Sequence, residues 1–245
     1  MNGIILAAGR GSRVNRSSKN TPKGMFLYKN KTLIEHILEN FKKNMINKTS
    51  IVTGYKSKNL KVFSTKKFHN KFWRSTNILY SLYKADNWLK KYTCIISYSD
   101  IFYKKSAISL LKKTKGDIVI LYDVNWYKIW KKRFQDPLLD AETFKIKKNN
   151  LVQIGDKTKN LKEIQGQYMG VFKITPRGWQ IIKKHLKKIK YFKSYDITKL
   201  LKSLISEKKN LVKVVKYKDK WFEVDTYKDY KIFLKDKMNE IIDTI

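Results

Sequence analysis

Ile4 to Met25, IILAAGRGSRVNRSSKNTPKGM, decides how the rest of the chain is read. The apolar run Ile4, Ile5, Leu6, Ala7, Ala8 reads as a buried strand. It passes directly into Gly9-Arg10-Gly11-Ser12-Arg13, which has no large apolar side chain. Two glycines let backbone N–H groups turn outward and approach a ligand where a Cβ would block them. Arg10, Arg13, Arg16, Lys19 and Lys23 crowd cations into the same segment. A small, basic, glycine-rich turn after a first strand suits a polyphosphate.

Two familiar glycine motifs are excluded. The dinucleotide pattern G-x-G-x-x-G fails because Val14 occupies its last position, and the Walker pattern G-x-x-x-x-G-K-[ST] is absent. What remains is LAAGRGSR followed by Pro22-Lys23. That order resembles the signature of the sugar-phosphate and small-molecule nucleotidyltransferases.

The whole chain sets further bounds. Its 245 residues suit one domain, with 42% hydrophobic residues to build a core. No apolar run reaches the roughly 20 residues of a membrane span. Met1 to Ala8 lacks a signal peptide's charged start and cleavage site, so the expected compartment is the cytoplasm. The single Cys94 argues against a disulfide framework and a cysteine-rich metal site. A net charge of +35 invites a nucleic-acid reading. However, 49 of the 55 basic residues are lysines spread over nearly every segment, and nucleic-acid readers lean on arginine. No nucleic-acid or membrane partner is expected, and a homodimer is left open.

Along the chain, Thr32 to Met45 reads as a helix capped by Thr32, and Thr49 to Thr53 as a strand ending at Gly54-Tyr55. Strand, helix, strand at this spacing is a right-handed crossover in a parallel sheet. Ligands sit at the carboxyl ends of such strands, so the opening turn and Thr53-Gly54-Tyr55 should be neighbours. Phe63 to Trp73 shows no clear periodicity. Asn77 opens a helix carrying Ile78, Leu82, Ala85 and Leu89 on one face. It is either an N-cap or a contact to base or ribose. Thr93 to Ser99 is a third strand delivering Asp100 at its carboxyl end. A carboxylate there is either a partner for a divalent cation or a cap for a helix over Lys104 to Lys113.

After a fourth strand, Asp117 to Leu121, the composition changes. Trp126 and Trp130, four residues apart, are either one buried helix face or, with Asp123 and Arg133, a wall for a small charged acceptor. Asp140-Ala141-Glu142-Thr143-Phe144 begins alternating strands with a turn at Lys148 to Asn150. A strand within Glu163 to Ile174 carries Gln167 and Tyr168. These antiparallel pieces are assigned to the acceptor side of the cleft. Helices follow at Arg177 to Ile189 and Ile197 to Ile205, then a strand at Leu211 to Tyr217. In Trp221-Phe222-Glu223-Val224-Asp225-Thr226 alternation puts Trp221, Glu223 and Asp225 on one face, a poor face for a core. A last helix begins at Tyr227.

Four pieces now match one pattern in order: LAAGRGSR with Pro22-Lys23, VTGY, SYSD and WFEVDT. They resemble the nucleotidyltransferases of glycosyltransferase-A-like fold, and within them the cytidylyltransferases of phosphocholine, aminoethylphosphonate and phosphoglutamine. WYKIWKKRFQDPLLDAETF and EIQGQYMGVFKIT look closest to the phosphoglutamine branch. The resemblance implies an α/β, three-layer, Rossmann-like fold. A mixed, mostly parallel sheet would carry helices on both faces and a small antiparallel acceptor-side lobe. Residues 1–122 would form mainly the nucleotide half, 123–225 the acceptor half and 226–245 a terminal helix.

The resemblance also implies roles. Leu6, Ala7, Ala8, Gly9, Gly11 and Ser12 would hold the nucleotide phosphates, with Arg13 and Lys23 as catalytic cations. Thr53, Gly54, Tyr55 and Asn77 would lie near base and ribose. Asp100 and Asp225 would ligate Mg²⁺. Glu142 and Gln167 would belong to the acceptor-binding set, Trp126, Trp130, Tyr168, Trp221 and Glu223 would surround an acceptor with a cationic amine or quaternary ammonium, and Arg133 would suit an acceptor carboxylate or phosphate. The expected substrates are CTP and a small phosphorylated or phosphonate acceptor. Two enzyme rivals remain. A sugar-nucleotide pyrophosphorylase shares the opening turn. A glycosyltransferase would carry a D-x-D motif, which Tyr98-Ser99-Asp100-Ile101-Phe102 does not. The non-enzyme rival is a basic nucleic-acid-binding protein.

Overall fold

The computed structural model describes residues 1–11 and 21–242. Its first half runs β1 (Asn2–Ala7), β2 (Leu27–Tyr28), β3 (Lys31–Thr32), α1 (Leu33–Lys43), β4 (Thr49–Thr53), β5 (Lys66–His69), α2 (Ile78–Tyr83), α3 (Asp86–Leu89), β6 (Cys94–Tyr98), β7 (Ile101–Tyr103), α4 (Ser106–Lys113) and β8 (Ile118–Asp123). The second half runs α5 (Trp126–Arg133), β9 (Phe144–Lys147), β10 (Asn150–Ile154), β11 (Gln167–Ile174), α6 (Pro176–Leu186), α7 (Ile197–Glu207), β12 (Val212–Tyr217), β13 (Trp221–Glu223) and α8 (Tyr227–Ile242).

Every residue of β1 is buried, as its unbroken apolar run requires of a central strand. It pairs in parallel with β4 on one side and β6 on the other. The expected crossover is therefore present, and α1 opens with a reciprocal capping box between Thr32 and Glu35. The full sheet has the order β5-β4-β1-β6-β11-β8-β12-β10-β9. β11 comes from the second half of the chain, yet it inserts antiparallel between β6 and β8. The β9–β10 hairpin continues the same sheet through an antiparallel contact with β12. The helices bury their apolar faces on two core clusters, one around Leu79, Trp179 and Leu201 and the other around Ile37, Ile108 and Trp130.

Two departures from the expected elements have simple causes. Phe63 to Trp73 contains the edge strand β5, which shows no clean alternation because both of its ends are exposed. The helix expected from Asn77 to Leu89 is divided at Lys84 and Ala85 into α2 and α3, although Leu82, Ala85 and Leu89 are all buried as one face. No helix among the described residues is long and apolar enough to cross a membrane.

A small ribbon positions the second carboxylate. β7 leaves the end of β6 and pairs antiparallel with β13, with Glu223 opposite Ile101. The amide of Val224 donates to the Asp100 carbonyl at 2.9 Å. Asp225, far along the chain, is thereby brought beside Asp100. Behind this ribbon, Phe222 and Tyr28 stack on Phe233 of α8 at 4.9 and 4.1 Å between ring centroids.

Candidate active site

A cavity of about 600 Å³ opens at the carboxyl ends of β1 and β6. Leu6, Ala7, Ala8, Gly9 and Gly11 form one wall, so the opening turn faces open space. Gly11 has φ +63°, and a Cβ there would lie 2.6 Å from Lys23 Cγ. Only glycine lets this turn lie across the lysine stem. Ser12 and Arg13, with Arg16 and Lys19, lie outside the described residues.

Pro22 is extended and leads into a single turn of helix that starts at Lys23. Lys23 Nζ donates to Asp100 Oδ2 at 3.1 Å and to Asp225 Oδ1 at 2.8 Å, across 77 and 202 positions of sequence. Burial alone would lower the Lys23 pKa. The charges of Asp100 and Asp225 outweigh it and hold the ammonium above its ordinary value. Asp100 does not cap the next helix, which starts at Ser106 with Lys105 before it.

Arg133 corrects a sequence expectation. Its guanidinium is only 3% exposed and does not line the cavity. It donates to Asp229 through Nε at 3.0 Å and Nη2 at 3.4 Å. It also meets Glu223 Oε2 at 3.4 Å and Asp225 Oδ2 at 3.5 Å. Its donors are spent inside the protein, so it cannot receive an acceptor anion. Asp229 in turn accepts from the amides of Asp225 at 3.2 Å and Thr226 at 2.8 Å. Arg133 and Asp229 thus fix the strand end that carries Asp225. Burial and the neighbouring Asp225 push the Glu223 carboxyl upward, while Arg133 opposes the rise.

Trp126 is the second correction. It is buried in the core, its ring 5.9 Å from that of Trp130, and it does not line the cavity. An amphipathic helix with two tryptophans looks the same in sequence whether one ring or both reach a pocket. Trp130 does line it, and its Nε1 donates to Asp140 Oδ2 at 3.0 Å. Trp221, Glu223, Glu142, Gln167 and Tyr168 also line it. Gln167 Nε2 donates to the Glu142 carbonyl at 2.6 Å.

Thr53, Gly54 and Tyr55 are neighbours of the opening turn but not of the cavity. The amide of Tyr55 donates to the Ala8 carbonyl at 3.0 Å, and Thr53 Oγ1 pairs with His69 Nδ1 at 3.1 Å. These residues buttress the turn from behind and do not line the cavity. A Cβ on Gly54 would lie 2.6 Å from the Ala8 oxygen and 2.7 Å from Trp73 Cβ. Gly54→Ala is expected to cost about 1–3 kcal/mol by overpacking, at about 2–4 °C of melting temperature per kcal/mol. A calorimetric melt matching the parent protein would contradict the packing argument. Asn77 realises the cap reading: Oδ1 accepts from the Ile78 amide at 2.7 Å and Nδ2 donates to the Ser194 carbonyl at 3.3 Å. It also stands on the cavity rim.

Sequence reasoning did not place Trp73, Tyr98, Asp140, Asp196 and Thr198 in the site, yet all line the cavity. Asp196 has a local role as the cap of α7, accepting from the Lys199 amide at 2.7 Å. Nothing in that pattern tells where the helix start lies in space.

A family model described as the MobA-like NTP transferase domain matches residues 3–146. The CTP:phosphoglutamine cytidylyltransferase of Campylobacter jejuni subsp. jejuni serotype O:2 is 34% identical over 250 residues, covering 95% of this chain and 98% of that protein. Among solved structures, the CTP:phosphocholine cytidylyltransferase of Streptococcus pneumoniae superposes with a TM-score of 0.70 at 20% identity, covering 98% of both chains. The inositol-1-phosphate CTP transferase of T. maritima does so at 0.73 and 18% identity, covering 93% of this chain and 90% of that one. At these identities the two structures speak for the shared fold.

Proposed function

The chain belongs to the family of MobA-like NTP transferase domains, and from that premise we propose that it is a cytidylyltransferase. It moves CMP from CTP to the phosphate or phosphonate of a small acceptor and releases pyrophosphate. The observation that carries this reading is Lys23 held between Asp100 and Asp225 in a cavity walled by a glycine-rich turn. The choice of CTP follows the phosphoglutamine relative, which aligns with nearly the whole chain. The acceptor belongs to the phosphoglutamine, phosphocholine or aminoethylphosphonate type.

An acceptor phosphate or phosphonate oxygen is already ionised near neutral pH, so the attack on the α-phosphorus needs no general base. Positioning and charge neutralisation then supply the rate. Lys23 is poised to meet charge on the α-phosphoryl oxygens, and Arg13 is assigned the leaving pyrophosphate. Asp100 and Asp225 fit a Mg²⁺ ion. This ion takes one or two carboxylates, substrate phosphates and waters in preference to an all-protein cage. Among the described residues no three His, Cys, Asp or Glu side chains gather as such a cage. When bound, the ion neutralises charge on the triphosphate.

Pyrophosphate release with CTP, UTP, GTP, ATP and dTTP, each against phosphoglutamine, phosphocholine, aminoethylphosphonate and glucose 1-phosphate, tests the reading. CTP with one of the first three acceptors is expected to be preferred by at least about tenfold. Preferred turnover of UTP or dTTP with the sugar phosphate would make it a pyrophosphorylase instead.

Asp225→Asn gives a separate check. Loss of even an outer partner of a metal site costs about 10–100-fold in affinity or activity. The Mg²⁺ concentration for half-maximal rate is therefore expected to rise at least tenfold in this variant. An unaltered Mg²⁺ titration would remove Asp225 from the ligand set.

A further inference from the structure

The segment between β5 and α2 is organised on one buried side chain. Asn70 is fully shielded from solvent, and every polar group it carries is bonded. Its amide donates to the Thr53 carbonyl at 2.8 Å, and its carbonyl accepts from the Trp73 amide at 3.3 Å. Its Oδ1 accepts from the Phe72 amide at 3.1 Å. A backbone amide can only donate, so this bond fixes which end of the carboxamide is oxygen. Nδ2 then donates to Thr76 Oγ1 at 3.0 Å and to Ser81 Oγ at 3.1 Å, which uses both of its hydrogens.

Both hydroxyls are therefore acceptors toward Asn70, and each has one proton left to place. Thr76 gives its proton to the Phe72 carbonyl at 2.8 Å. Ser81 donates to nothing among the described residues, although it is buried and lines the cavity. A buried hydroxyl proton without an acceptor costs free energy until a ligand supplies one. The stretch of wall around it, Trp73, Thr76, Asn77, Ile78 and Ser81, carries no charged side chain. An aromatic ring with uncharged polar groups beside it suits a heteroaromatic ring. Phosphates are better met by Lys23 and the opening turn.

We propose that Ser81 reads the base of the nucleotide, and that Asn70, which does not line the cavity, is the positioning residue that makes Ser81 a one-way donor. This rests on the cytidylyltransferase reading and names the residues behind its choice of base. Cytosine presents an unprotonated ring nitrogen, N3, between its carbonyl and its amino group, so a fixed donor pairs with it. Uracil carries a hydrogen on that nitrogen, and a fixed donor opposes it. A serine free to rotate would serve either base, as donor to one and acceptor from the other. Selectivity then comes from the carboxamide behind the serine.

The test is calorimetric binding of CTP and UTP in Mg²⁺ buffer, beside pyrophosphate release from each with phosphoglutamine. The parent protein is expected to bind CTP about tenfold or more tightly than UTP. Ser81→Ala should bring that ratio below about threefold, mainly by weakening CTP. Asn70→Asp is the sharper variant. The two side chains share a shape, but a carboxylate accepts the Ser81 proton and turns the hydroxyl's lone pairs toward the cavity. The ratio should then fall at least about tenfold below the parent's. Adding Asn70→Asp to Ser81→Ala should lower it no further, because Asn70 acts through Ser81. Circular dichroism establishes that each variant is folded, and Ser81→Ala decides alone where a buried carboxylate prevents folding. An unchanged ratio in Ser81→Ala, equal losses of both nucleotides in folded Asn70→Asp, or additive effects in the double variant would each overturn the proposal. CTP turnover by the parent beside any of these leaves the cytidylyltransferase reading standing. A Ser81-dependent preference for CTP without turnover would uphold the base site and overturn that reading, so the two failures are separate.

Discussion

Lys23→Ala is expected to lower kcat by about 10²–10³, the usual cost of removing one preorganised donor, while the protein stays folded. The reason lies in how the ammonium is held. Its stem passes under Gly11, and its Nζ is fixed by Asp100 and Asp225 at 3.1 and 2.8 Å. A charge fixed before substrate arrives costs no reorganisation during the reaction. The folded pKa lies above that of free lysine, so the charge is fully present below pH about 10 and is lost only as alkali titrates it. Lys23 therefore contributes no titration to a neutral pH–rate profile. The fold tolerates the change because Asp100 and Asp225 face a cavity that water can enter. Single-turnover kinetics beside a near-ultraviolet circular dichroism spectrum decide it. A folded variant with the parent rate would exclude Lys23 from the chemistry.

Arg133→Met is expected to have the largest effect on stability. The guanidinium is 3% exposed and answers Asp229, Glu223 and Asp225 together. Removing one partner of a buried pair leaves uncompensated charge, at a cost of about 3–5 kcal/mol. For a chain of this length that is a fall of about 6–20 °C in melting temperature. Asp229 keeps its bonds to the amides of Asp225 and Thr226, so the strand end persists in loosened form. On the Mg²⁺ role proposed for Asp225, the variant should also need more Mg²⁺, because Asp225 loses its outer support. A melting temperature within 2 °C of the parent, on the scale set above, would show that the network is not a structural anchor.

These two residues separate what could be read in advance from what could not. Lys23 followed from an ordered signature: strand, glycine turn, then Pro-Lys. Asp100 followed from its place at a strand's carboxyl end. Arg133 was assigned to the acceptor because an arginine beside tryptophans in a basic segment suggests anion binding. Its three carboxylate neighbours come from β13, the turn after it and α8, and no local pattern announces them. Thr53, Gly54 and Tyr55 were correctly expected beside the opening turn, but which side of the strand faces the cavity depends on how the neighbouring segments pack. Asp196 shows the same limit: its cap of α7 is a local contact, and its place on the cavity wall is set by distant packing.

The sequence by itself determined the order of the main strands and helices, the phosphate-suited turn and the kinds of side chain available for chemistry. These are local matters of periodicity, capping and backbone freedom, legible within a dozen residues. Tertiary structure alone decided that Asp225 reaches Lys23 across 202 positions, that Arg133 turns inward, and that Glu142 lines the cavity. Each of these depends on which distant segments pair and pack, and pairing is set by burial of whole faces together, a quantity no single stretch of chain contains.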